Sequence, residues 1–183
     1  MKKTLFLLLL IFFIESIVAL DLGKINLPNE LKVGEDILQI NGAGWRKKFI
    51  IKVYAGALYL MEKNNDPTLI IAADETAAIR MHFVYDGVSP DKLVSAWLDG
   101  FERAETPDSL NYKIDEFNGW FTESADKNDI YDIIYTPESG ISLYINDELT
   151  GTIPGLEFKK AVFSIWLGEN TSLAGLKDKM LGN

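Results

Sequence analysis

The chain has 183 residues with 27 acidic and 18 basic side chains, a formal net charge of −9, no cysteine and one histidine. An acidic chain repels phosphate backbones, which argues against a nucleic-acid partner. The lack of cysteine excludes disulfides, thiol nucleophiles and thiolate metal sites. A single His82 excludes a histidine-based metal cluster, and no G-x-S-x-G elbow accompanies it to suggest a hydrolase triad.

The first residues read as an export signal. Met1-Lys2-Lys3 is followed by an apolar run from Leu5 to Ile14 and then by Glu15 to Ala19. About ten apolar residues suit the core of a signal peptide and fall short of the roughly 20 that span a bilayer. An uncleaved anchor is the alternative, but Glu15 interrupts the run where a longer span needs apolar length. We expect cleavage after Ala19, leaving residues 20–183 as one domain and placing the protein in the periplasm. Losing Lys2, Lys3 and Glu15 moves the net charge from −9 to −10.

Asp36–Gln39 reads as a short strand that enters a turn or bulge at Asn41-Gly42. Phe49–Met61, rich in β-branched and aromatic residues and without helix caps, predicts a long strand buried over most of both faces. Thr68–Ala73 and Ala78–Tyr85 are predicted strands. In the second, Ile79, Met81, Phe83 and Tyr85 alternate with Arg80, His82 and Val84. Ser89-Pro90-Asp91 is a helix start, followed by a stripe of Leu93, Ala96, Trp97, Gly100, Phe101 and Ala104. Thr106-Pro107-Asp108 repeats that signal ahead of Leu110, Ile114, Phe117 and Phe121. Ile130–Tyr135 and Ile141–Ile145 predict a hairpin through Pro137–Gly140, and Asn146–Glu148 a further turn before a short strand at Thr150–Pro154. Glu157–Leu167 is read as an amphipathic helix and Leu173–Leu181 as a short final one. Paired strands with late helices predict an α+β fold.

Several of these segments together resemble the chalcone isomerase-like family, in its bacterial exported branch. Asn41-Gly42-Ala43-Gly44-x-Arg46 is similar to the G-x-G-x-R segment of that family, and Lys52–Leu60 to the strand that follows it. The Pro137–Gly140 turn with Ile141–Tyr144, and Phe158–Val162 through Ile165–Gly168, resemble its later part. The resemblance implies a large antiparallel sheet with a layer of helices on one face, an open-faced β-sandwich enclosing an apolar cleft. In the plant isomerases of the family, the arginine stabilises developing enolate charge beside a threonine on the next strand. Here Arg46 holds the arginine position, Tyr54 the threonine position, and Ile165 falls near a second threonine position, so most of the isomerase constellation is missing. The family's fatty-acid-binding members instead keep the arginine and place a tyrosine on the next strand, the two gripping a ligand carboxylate. A guanidinium fork and a phenol at the mouth of an apolar cleft suit that task.

The resemblance thus implies a non-catalytic protein that binds a small amphipathic molecule such as a fatty acid, through Arg46 and Tyr54, with no cofactor, metal or catalytic residue. The alternative is an isomerase or lyase acting on an enone-like, chalcone-type substrate through Arg46. A further alternative is a protein-interaction module whose cleft is filled by its own side chains. Geometry tests the pairing of the two residues. A two-residue turn at Lys47-Lys48 would set Arg46 against Phe49 and Tyr54 against Asn41, some 16 Å apart, roughly five residues of strand. A bulge at Gly42/Gly44 would shorten that gap. Otherwise Arg46 is a hairpin-end arginine facing water and Tyr54 a core tyrosine. Trp97, Trp120 and Trp166 fall on helices and read as core. His82 reads as solvent-facing or bonded to a neighbour, and Asp126, Asp129 and Asp132 as a solvated acidic loop. Arg46-Lys47-Lys48 is a cationic cluster of the kind anionic lipid headgroups attract.

Overall fold

A computed structural model describes residues 19–23 and 25–183. The expected signal segment lies outside the described residues, apart from Ala19, which opens the first strand. Strands β1 (Ala19–Leu22) and β2 (Ile25–Pro28) form a hairpin of their own. Seven more strands make one antiparallel sheet in which neighbours in space are neighbours in sequence: β3 (Glu30–Val33), β4 (Asp36–Lys48), β5 (Ile51–Leu60), β6 (Ala77–Phe83), β7 (Ile130–Thr136), β8 (Gly140–Ile145) and β9 (Glu148–Ile153). Helix α1 (Pro67–Ala72) sits between β5 and β6, and α2 (Pro90–Arg103), a 3-10 turn and α3 (Asn111–Asn118) sit between β6 and β7. Helices α4 (Leu156–Leu167) and α5 (Ala174–Met180) follow β9. This is the predicted α+β architecture.

Alternation along each strand divides the side chains between two faces. On one, Leu58, Ile79, Phe83, Ile133 and Leu143 pack against Trp97, Phe101, Phe117, Phe158 and Trp166 from the helices. Each such side chain, fully buried, contributes roughly 1.5–3 kcal/mol. On the other face Leu38, Ile40, Ala55, Ala57 and Tyr59 are covered by Ile25 and Leu27 of the β1–β2 hairpin. The Tyr59 hydroxyl ties the two together by donating to the Pro28 carbonyl at 2.9 Å.

The Asn41–Gly44 stretch is explained by packing. It lies inside β4, not in a loop, and Asn41 is the extra residue of a bulge between the Ile40–Tyr59 and Gly42–Leu58 pairs. Helix α5 lies across it. A Cβ on Gly42 would run into the Lys179 carbonyl oxygen, and one on Gly44 would come within 2.7 Å of the Lys179 Cβ. Asn41 Nδ2 donates to the Met180 carbonyl at 2.8 Å and to the Asn64 carbonyl at 2.8 Å, while its Oδ1 accepts from the Asn64 amide. The predicted strand at Asp36–Gln39 therefore runs on through the bulge to Lys48.

Two predicted elements are corrected. Thr68–Ala73 is helix α1, not a strand. Asp66 caps it by accepting from the amides of Thr68 and Leu69, and Pro67 occupies its first position. At its other end Lys159 Nζ donates to the carbonyls of Ile70, Ile71 and Ala73 at 2.6, 3.0 and 2.8 Å, serving the acceptors a helix end leaves open. Helix α4, which carries Lys159, is buried on most of its circumference instead of along one stripe, because it is sandwiched between the sheet and its neighbouring helices. The predicted acidic loop also divides. Asp132 is buried in a bidentate pair with Arg80 at 2.7 Å, while Asp126 and Asp129 order the loop around them.

Candidate functional site

The register of the β4–β5 hairpin decides how Arg46 and Tyr54 stand. The turn falls at Phe49-Ile50, not at Lys47-Lys48, so Lys48 pairs with Ile51 and Lys47 with Lys52. A bulge at Val53 then shifts the pairing by one residue, and Arg46 faces Tyr54 directly across the ladder. The 16 Å separation expected from a turn at Lys47-Lys48 is thereby overturned. Directly opposed residues share a face, with Cβ atoms roughly 4.5–5.5 Å apart.

That face opens into a cavity of about 430 Å3 between the sheet and helices α2 and α4. Its floor is Val53, Tyr54, Met81 and Phe83. Leu93 and Trp97 from α2, with Ile165 and Trp166 from α4, form the roof. The close approach of the two roof helices rests on Gly100, where a Cβ would lie 2.7 Å from Ile165 Cγ2. Four cations stand at the lining: Arg46, Lys48, Lys92 and Arg103, against one carboxylate, Asp99, which Arg103 pairs with at 2.9 Å. The wall is apolar and the rim is cationic. Arg46 also borders a groove of about 480 Å3 along β4 and α5, walled mostly by glycine backbone, lysine and leucine, with Trp45 as its aromatic side chain.

Tyr54 is buried, and its hydroxyl accepts from Trp166 Nε1 at 3.1 Å. Burial raises its pKa to about 12, with the Trp166 bond and the Arg46 charge pulling the other way. It therefore stays a phenol at neutral pH. Its oxygen accepts from Trp166, and the hydroxyl still carries a proton it can donate. Arg46 is half-buried and one of its nitrogens, Nη1, is bonded to the Lys47 carbonyl. The register sets Arg46 opposite Tyr54, near enough for its charge to act on the phenol. Trp97 lines the same cavity and is buried, and its Nε1 has no acceptor among the described residues. Sequence reasoning read Trp97 and Trp166 as core. They are core, and they also wall the cavity, a role their helical spacing could not reveal. Trp120 is half-buried and stacks on Gly151 of β9, away from the site. His82 is half-buried on the opposite face, its Nε2 without a partner among the described residues, and burial lowers its pKa.

Arg46 and Tyr54 thus stand together, a cation beside a phenol, at the head of an apolar chamber. Among the described residues no group of His, Cys, Asp and Glu side chains is placed to hold a metal ion. No helix among them is long and apolar enough to cross a membrane.

Comparison with known proteins agrees with this fold. The family model for chalcone isomerase-like proteins matches residues 19–182. A crystal structure of a fatty-acid binding protein from Arabidopsis thaliana superimposes with a TM-score of 0.69 at 16% identity, covering 86% of this chain and 91% of that one. No curated protein is similar in sequence.

Proposed function

The chain belongs to the chalcone isomerase-like family, and from that premise we propose that it is a non-catalytic binding protein for a small amphipathic acid such as a fatty acid. One observation carries this reading: the cross-strand pairing that sets Arg46 beside Tyr54 at the mouth of an apolar cavity. The guanidinium would supply charge-assisted bonds to a carboxylate, the phenol one neutral bond, and the aromatic walls would hold the alkyl chain. A volume of about 430 Å3 falls within the roughly 300–1,000 Å3 of small-molecule sites. The fatty-acid binding neighbour shares the fold, which is consistent with this use of it. An open chamber favours a ligand over the reading in which the cleft is filled by its own side chains. Ile165, at a position where the isomerases are expected to carry a threonine, contributes only hydrocarbon to the lining, which favours binding over isomerisation. We further propose export to the periplasm after signal cleavage, from the charged and apolar pattern of residues 1–19.

The test is native mass spectrometry of the protein isolated from cells expressing the full chain, with lipid extraction of the same sample. A stoichiometric co-purifying acid that disappears in Arg46→Ala is the expected result. A clean apo mass in the wild type, with no uptake of added palmitate, would sink the proposal.

A further inference from the structure

The tip of the β4–β5 hairpin has a composition that neither the core nor the ligand grip requires. Phe49 and Ile50 are 92% and 94% exposed, the two most exposed large apolar side chains among the described residues. Ile51 and Tyr85, both exposed, extend this apolar surface along the cavity mouth. The turn is also an unusual place for an aromatic residue. Phe49 has φ of 57°, the left-handed region, at the first position of a two-residue hairpin turn. Glycine takes that position without strain, and a bulky side chain does not. A sequence concerned only with closing the hairpin would not place phenylalanine there.

The charges around the tip are equally one-sided. Arg46, Lys47, Lys48 and Lys52 surround it, and no acidic residue occurs from Ile37 to Met61 in a chain of net charge −9. The Lys52 ammonium rests 4.2 Å from the centre of the Trp45 ring, which holds it on the flank of the hairpin. Carboxylates elsewhere are screened beyond about 8 Å at physiological salt, so a surface meeting the tip meets a cationic patch. Asp99, the carboxylate lining the cavity, is already paired with Arg103.

We propose that this tip docks on a bilayer containing anionic phospholipid. Phe49 and Ile50 enter the interface, and Lys47, Lys48 and Lys52 hold the headgroups. Because Phe49, Lys48 and Ile51 also line the cavity, docking presents the cavity mouth to the lipid. The occupant is an anionic bilayer, because an apolar wedge ringed by cations matches an interface with hydrocarbon below and negative charge above. The inference goes beyond the ligand reading and does not depend on it.

Flotation with vesicles of equimolar phosphatidylglycerol and phosphatidylcholine tests this, with vesicles of phosphatidylcholine alone as control and no free fatty acid present. All proteins are isolated from full-chain expression, so any contribution of the N-terminal apolar segment is common to them. Wild type floats with the anionic vesicles, and high salt weakens the association. Phe49→Gly with Ile50→Asn reduces partitioning at least tenfold. That variant has turn-favouring residues and melts no lower than wild type, so its loss is not unfolding. Lys47→Glu with Lys48→Glu removes binding by more than about fivefold per lysine. Wild type that fails to float, or a tip variant that floats equally well, overturns the proposal. So does a wild-type dimer in sedimentation that the tip substitutions convert to monomer, since the tip would then cover a second copy. Ligand uptake is read separately without vesicles, so failure of one claim leaves the other standing.

Discussion

Replacing Gly42 by alanine tests whether the glycine-rich stretch of β4 is a landing surface for α5. The added Cβ would collide with the Lys179 carbonyl oxygen and lie 2.9 Å from that of Met180 and 3.0 Å from the Gly182 nitrogen. All three obstacles are backbone, so no rotamer change relieves them. Restoring an ordinary carbon–oxygen separation of roughly 3.3 Å requires α5 to lift by about 1 Å. The helix is anchored by Leu176, Met180 and Leu181, all buried, and full release would cost roughly 5–9 kcal/mol at 1.5–3 per side chain. Strain relieved by partial lifting is usually 1–3 kcal/mol, and the Asn41 bond to Met180 is weakened as well. A destabilisation of about 3 kcal/mol follows, or roughly 6–12 °C in melting temperature for a domain of this size. Thermal denaturation by circular dichroism reads it, and amide exchange shows protection lost first in α5. Gly175→Ala, within α5 and meeting nothing within 4 Å, is the control and gains up to about 1 kcal/mol. Should Gly42→Ala melt with the wild type, the close-packing argument is wrong.

Four further outcomes are expected. Tyr54 and Tyr59 have pKa values raised to about 12, in both cases chiefly by burial. A raised phenol pKa gives stability that is complete below pH 10 and lost as the pH climbs from 10 to 12. Tyr54 alone accounts for about 3 kcal/mol at 1.36 per unit, so denaturation midpoints should hold to pH 10 and fall above it, less steeply in Tyr54→Phe. At neutral pH, Tyr54→Phe leaves the Trp166 indole without its acceptor, costing about 1–3 kcal/mol. The same substitution weakens binding of a carboxylate ligand by about tenfold, the worth of roughly one hydrogen bond, as measured by titration calorimetry. Gly100→Ala drives α2 away from Ile165 and lowers the melting temperature, by roughly 1–3 kcal/mol of strain. Its signature is a shift in Trp97 and Trp166 fluorescence, because those rings face each other at 5.5 Å across the same contact.

The sheet was readable because its strands obey simple alternation. Ile79, Met81 and Phe83 point one way and Arg80 and His82 the other, as their spacing predicts, and Pro137–Gly140 marks its hairpin. Helix α2 announced itself through Ser89-Pro90-Asp91. Thr68–Ala73 misled because Leu69-Ile70-Ile71 carries strong strand propensity, while the helix is fixed by an Asp66 cap at one end and by a lysine 86 to 89 residues away at the other. The β1–β2 hairpin and β3 gave no sequence signal. Arg46 and Tyr54 could be named as a pair but not placed. Their alignment depends on a turn built on phenylalanine in a conformation glycine prefers, and on a bulge at Val53 that no residue type advertises. The glycines of the Asn41–Gly44 stretch could be recognised, but their reason lies in a helix more than 130 residues further on.

That last contact has a consequence for how the chain assembles. Each hairpin of the meander can close on local contacts as it emerges, a topology that favours rapid zippering. The bond from Asn41 to Met180 spans 139 residues, so the first long strand of the sheet waits for α5. Ser172 and Leu173, which lead into α5, also line the cavity, and the chamber wall is complete only when that segment docks. A nascent chain is thus held short of its finished state until α5 has emerged. For a polypeptide whose export we propose, such a late latch would keep the chain pliant enough to be threaded across a membrane before it sets.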